Sequence, residues 1–132
     1  MMLLLSPTGK GIRVDPAGDG HYGTPRGNRT HKGTDFLCDV GQEVWSPING
    51  RTVRKSFPYD DMSYNGIIIA GSWCLVVLWY LNPFVGNGVE VYRGQPVGIA
   101  EDVSLRYPGQ GMLAHIHMEI KDLSRNPEHY MI

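Results

Sequence analysis

The chain has 132 residues, 12 of them basic and 13 acidic, for a net charge of −1. That length suits one domain with a real core, and the balanced charge argues against a partner held by long-range electrostatics, such as nucleic acid or an anionic membrane surface. Two cysteines, Cys38 and Cys74, are too few for a disulfide scaffold and form no C-x-x-C pair, so two packed free thiols are expected in preference to one disulfide.

The opening MMLLLSP has no basic segment, and its apolar run is shorter than the roughly 7 to 15 residues of a signal core, so no export signal is expected. No run approaches the about 20 apolar residues of a spanning helix, so no membrane insertion is expected either. Residues 6–30, SPTGKGIRVDPAGDGHYGTPRGNRT, hold many glycines and prolines and no sustained apolar period. They read as a long ordered loop with one short strand at GIRV, of a length that usually serves a site or is mobile. We therefore assign 1–30 as an N-terminal loop region packed on a single β domain, 31–132.

From TDFLCDV onward the pattern turns to β-branched and aromatic runs punctuated by turn residues. EVWSPINGRTVRK reads as strand, Asn49-Gly50 turn, strand, since Asn-Gly suits a type I′ hairpin. NGIIIAGSWCLVVLWYL holds two near-continuous apolar runs either side of Gly71-Ser72. Such runs predict strands covered on both faces, a hairpin at the centre of the sheet. EVYRGQPVGIAE supplies a turn and strand, SLRYPGQGMLA a loop, HIHMEI the last long strand, and KDLSRNPEHYMI a polar tail. No stretch holds a convincing helical period, so the fold class is mainly β.

Two of the five histidines lie in that last strand. Side chains alternate along a strand, so His115, His117 and Glu119 share one face and Ile116, Met118 and Ile120 the other. Two imidazoles backed by a carboxylate suit a metal, yet cannot complete a zinc sphere, which takes three protein ligands in catalytic sites and four in structural ones. The H-x-G-x-D of His31, Gly33 and Asp35 supplies the remaining donor chemistry. An extended chain puts His31 and Asp35 on one side, with Gly33 allowing close backbone approach. Together the two motifs offer three ligands for Zn²⁺ and a histidine to spare. His21 and His129 are the other histidines among which a further ligand could be sought, and a loop histidine such as His21 is usually a surface residue.

HKGTDF, VWSPINGRTV, the glycine-punctuated hairpin, YRGQPVGIA and HIHMEI follow one another in an order that resembles the lysostaphin-type zinc metallopeptidases, over about residues 31 to 121. The resemblance implies a small antiparallel β-sheet fold of the duplicated hybrid motif kind, with a groove and one Zn²⁺. Carried residue by residue, it implies His31, Asp35 and His117 as metal ligands and His115 as the nearby catalytic histidine. Glu119 would orient a histidine from behind, or else stand as a solvated strand carboxylate. The family commonly carries a further histidine after the central hairpin, and here Tyr80 stands in its place. A phenol can still donate a hydrogen bond to an oxyanion, or it can simply pack at the groove rim. The pattern also parallels the branch of leukocyte cell-derived chemotaxin-2, down to Cys38 and Cys74.

What this implies is a zinc-dependent endopeptidase that hydrolyses peptide cross-links of bacterial peptidoglycan. A short chain with no visible export signal and no visible wall-binding module further suggests a bacteriophage product, a tail-tip component or a lysis enzyme, with other virion tail proteins supplying delivery to the cell wall or periplasm. The alternative is a catalytically degenerate zinc-binding module, a virion component or a chemotaxin-like ligand. Fold alone does not choose between them.

Overall fold

The structure is a computed structural model describing residues 3–121 and 126–132; residues 122–125 of the expected polar tail lie outside the described residues. Four two-residue strands open the chain: β1 (Val14–Asp15), β2 (Gly18–Asp19), β3 (Pro25–Arg26) and β4 (Arg29–Thr30). There follow β5 (Thr34–Leu37), β6 (Glu43–Trp45), β7 (Gly50–Ser56), β8 (Gly66–Ala70) and β9 (Leu75–Trp79). The last are β10 (Leu81–Pro83), β11 (Glu90–Val91), β12 (Pro96–Ala100) and β13 (His115–Ile120). Helical structure among the described residues is limited to short 3-10 turns at Val103–Arg106 and Pro127–Tyr130.

A six-stranded sheet of order β11-β7-β8-β9-β13-β5 carries the site, and a three-stranded sheet of order β10-β12-β6 packs with it; all pairings within both are antiparallel. The expected hairpin 66–79 forms and sits at the centre of the larger sheet. Its consecutive residues Ile67, Ile68 and Ile69, and Val76, Val77 and Leu78, are all buried, as a strand covered on both faces requires. One apolar cluster joins Ile67, Ile69, Leu78, Ile116 and Met118 of the large sheet to Val44, Leu81 and Val97 of the small one. Cys38 and Cys74 form no disulfide, and Cys74 is buried.

The Asn49-Gly50 hairpin does not form. β6 pairs with β12 and β7 with β8 and β11, so residues 46–49 cross between sheets. Neither Asn49 nor Gly50 has the positive φ that a type I′ turn needs. The crossing segment spends its polar groups on distant chain: Asn49 Oδ1 accepts from Arg93 N at 2.8 Å, and the Pro47 carbonyl accepts from Leu5 N at 3.0 Å. The expected strand at GIRV is also reduced, to an isolated bridge between Ile12 and Phe36 and the start of β1. The rest of 6–30 is two small ribbons, β1-β2 and β3-β4.

Candidate metal centre

β13 lies between β9 and β5, and its register places His117 opposite both Asp35 and Trp79. Alternation does the rest: Ile116, Met118 and Ile120 enter the core while His115, His117 and Glu119 face the groove. His31 comes from the segment between β4 and β5, and Gly33 makes its approach possible. A Cβ there would lie 2.6 Å from the His117 ring and 2.5 Å from the Met118 carbonyl oxygen.

The three residues converge. His31 Nε2 lies 3.1 Å from His117 Nδ1, and Asp35 Oδ1 is 2.9 Å from His117 Nδ1 and 3.3 Å from His31 Nε2. The outer nitrogens fix the tautomers. His31 Nδ1 sits 3.1 Å from the His21 carbonyl and His117 Nε2 sits 3.0 Å from Glu119 Oε1. Both partners are acceptors only, so both outer nitrogens carry the proton and both inner ones present lone pairs. Three lone-pair atoms thus face one another, and a cation, or a proton on His117, is what reconciles them. The set of two imidazoles and one carboxylate suits Zn²⁺ and leaves a net positive charge on it. Glu119 and the His21 carbonyl orient the two rings from behind.

The surrounding charges respond to this crowding. Burial opposes ionisation of Asp35, but a proton on His117 and the close His31 ring hold its carboxyl well below the usual range. Burial likewise opposes protonation of His117, and the bonds to Asp35 and Glu119 win, raising it to about 9. His115 is shifted the other way, downward, because burial dominates its balance. Its Nδ1 donates to the Leu113 carbonyl at 2.8 Å, which turns Nε2 toward the site, 3.7 Å from Asp35 Oδ2 and outside hydrogen-bonding range. His115 is therefore beside the cluster and not in it.

Tyr80 joins β9 to β10, crossing from the large sheet to the small one with φ at +79°. An aromatic residue there is a local strain of order 1–3 kcal/mol. Its ring meets His115 edge-on at 5.3 Å, its hydroxyl lies 3.3 Å from that of Tyr59, and Tyr59 continues to Tyr107 at 2.6 Å. Burial pushes the Tyr80 phenol up to about 12, so it stays a neutral donor. Trp79 stacks on His117 at 5.0 Å.

These groups line a groove of about 630 Å³. Among its lining residues, Arg13, Trp79, Tyr59 and Tyr107 belong to no motif that marks a site residue. Only Arg13 left a trace, as the lone charge within GIRV. The ring of His21 is bonded to Asp19, and its contribution to the site is its backbone carbonyl.

No family model matches the chain. Leukocyte cell-derived chemotaxin-2 of Bos taurus is 31% identical over 112 residues, 83% of this chain and 72% of that protein. The peptidoglycan DD-endopeptidase ShyC of Vibrio cholerae is 25% identical over 101 residues, which cover 75% of this chain but 22% of that protein. Among solved structures, the catalytic domain of the antimicrobial peptidase lysostaphin from Staphylococcus simulans superposes with a TM-score of 0.62 at 21% identity, over 86% of this chain and 89% of that domain. With a mainly β fold, a groove and a His-Asp-His cluster already in place, the 31% identity shows that the chain belongs to the family of leukocyte cell-derived chemotaxin-2, and its fold is that of the lysostaphin catalytic domain.

Proposed function

We propose that this protein is a zinc-dependent endopeptidase hydrolysing peptide cross-links of bacterial peptidoglycan. The observation that carries the reading is the convergence of the inner lone pairs of His31, Asp35 and His117 in the groove, with His115 beside them and not among them. One Zn²⁺ held by these three residues would supply Lewis acidity, acidifying a water and polarising an amide carbonyl. His115 Nε2 accepts the proton of the attacking water and returns it to the leaving amine, a step suited to a ring whose pKa burial has lowered. Tyr80, neutral and at the same end of the groove, donates its hydrogen bond to the developing oxyanion. Glu119 keeps the His117 ring turned for ligation.

Support for the substrate comes from the related DD-endopeptidase, which acts on peptidoglycan. The expected bacteriophage setting belongs to the same proposal and is checked by searching purified virions for the chain. The test of the chemistry is release of soluble muropeptides from purified peptidoglycan by the zinc-loaded protein, resolved by chromatography with mass spectrometry. Cleaved cross-links establish the activity and identify the bond. No release across several wall types, with zinc bound, leaves the second reading, a zinc-binding module without turnover. One observation favours that reading: the Tyr80 hydroxyl is already engaged by Tyr59.

A further inference from the structure

Arg13 is a charged side chain only 3% exposed, on a segment to which the mechanism above gives no task. Its guanidinium spans two carboxylates: Nη2 and Nε lie 3.1 and 3.4 Å from Asp35 Oδ2, and Nη1 lies 2.8 Å from Asp15 Oδ1. Asp15 is occupied on both oxygens. Oδ1 also accepts from Ala17 N at 2.9 Å, and Oδ2 accepts from Leu113 N at 2.9 Å. The Leu113 carbonyl in turn accepts from His115 Nδ1 at 2.8 Å. A continuous path therefore runs from the Asp35 carboxylate through Arg13, Asp15 and residue 113 to the ring of His115.

The arm that carries this path is fastened to β5. Arg13 N donates to the Asp35 carbonyl at 2.8 Å, Asp35 N to the Gly20 carbonyl at 2.9 Å, and Gly20 N to the Arg13 carbonyl at 2.7 Å. A Cβ at Gly20 would come within 2.7 Å of Asp35 Cβ, so only glycine lets the arm lie this close. An arginine and two carboxylates taken out of water are costly unless their geometry is saturated, and here it is.

We infer that Arg13 and Asp15 are positioning residues. Arg13 occupies Asp35 Oδ2, so that Oδ1 alone meets the two imidazole nitrogens, and Asp15, through residue 113, holds the His115 ring with Nε2 toward the groove. The inference rests on the metal reading above for its consequence, but the frame itself is tested without metal.

Asp15→Asn replaces one acceptor oxygen with an amide that cannot accept, so either Arg13 or Leu113 loses its partner. In metal-free protein, nitrogen-15 spectra of the His115 ring are expected to show a single Nδ1–H tautomer in the wild type and a mixture of both in Asp15→Asn. The same variant, zinc-loaded, is expected to lose kcat at unchanged KM. Arg13→Lys keeps the charge but not the fork, and zinc affinity by chelator competition is expected to fall roughly 10–100-fold. A single tautomer retained in Asp15→Asn overturns the Asp15 limb, and wild-type zinc affinity in Arg13→Lys overturns the Arg13 limb. If Arg13→Lys does not fold, Asp15→Asn carries the test. A wild type that binds no zinc overturns the metal reading of the preceding section, and the tautomer measurement then decides the frame.

Discussion

Two regions bring buried charge to one groove by opposite routes. On β13 the placement is local: His115, His117 and Glu119 share a face because residues i and i+2 of any strand do, whatever the rest of the chain does. The arm over residues 11–20 has no such period, and Arg13 reaches Asp35 only because long-range backbone bonds fasten the arm to β5. The spacing within β13 is a property of one strand, whereas the position of Arg13 is a property of the assembled molecule. Damage to β13 should therefore act on the chemistry directly, and damage to the arm through the residues it holds.

The largest effect is expected at the ligand itself. His117→Ala should lose stoichiometric zinc, measured by elemental analysis after dialysis, and full zinc content in that variant would move the ligand set elsewhere. His115→Ala, two residues away on the same face, should keep its zinc and lose turnover by roughly 10²–10⁴. Normal turnover would remove it from the mechanism.

The opposite face of the same strand gives a contrasting outcome. Met118→Ala should cost about 2–5 kcal/mol in urea unfolding by opening a cavity in the core, with zinc stoichiometry intact. A loss of metal without loss of stability would mean that the two faces are not separable.

The pH dependence of the metal-free protein is a smaller effect with a definite sign. A raised His117 contributes stability that is fully present below about 6.5 and is lost as pH rises through about 9. A lowered Asp35 contributes stability present above its ordinary carboxyl range and lost on acidification. A lowered His115 acts in the opposite sense to His117, contributing stability present above about 6.5 and lost as pH falls, so melting temperature without zinc should peak at roughly pH 6.5. The increment on adding zinc should grow toward pH 9, because the metal and the His117 proton compete. A zinc increment that shrinks with pH would place the proton elsewhere. The smallest expected effect is that of Tyr80→Phe, which should slow turnover without changing zinc content; an unchanged rate would leave Tyr80 as packing.

Much of this was legible before folding. The central hairpin was readable because strands covered on both faces must be apolar at every position, and a run such as IIIA against LVVL has few other uses. The Asn49-Gly50 hairpin was misread for an equally physical reason. A dipeptide states only that a turn is permitted, and here Ser46 to Asn49 are bonded to residues 5, 93 and 95 instead. Arg13, Tyr59 and Tyr107 were not legible as site residues, since each becomes meaningful only against a partner at least 21 positions away.

Composition, alternation and the two histidine motifs were enough for a mainly β chain with one polar strand face and a candidate metal set, because strand periodicity and ligand chemistry are both local. Which lone pairs face inward, which histidine stands aside, and what holds Asp35 were decided by tertiary structure. Those properties depend on hydrogen bonds to the His21 carbonyl, Glu119, Leu113 and Arg13, and two of these partners, His21 and Arg13, reach the site only once the sheets and the arm have closed around it.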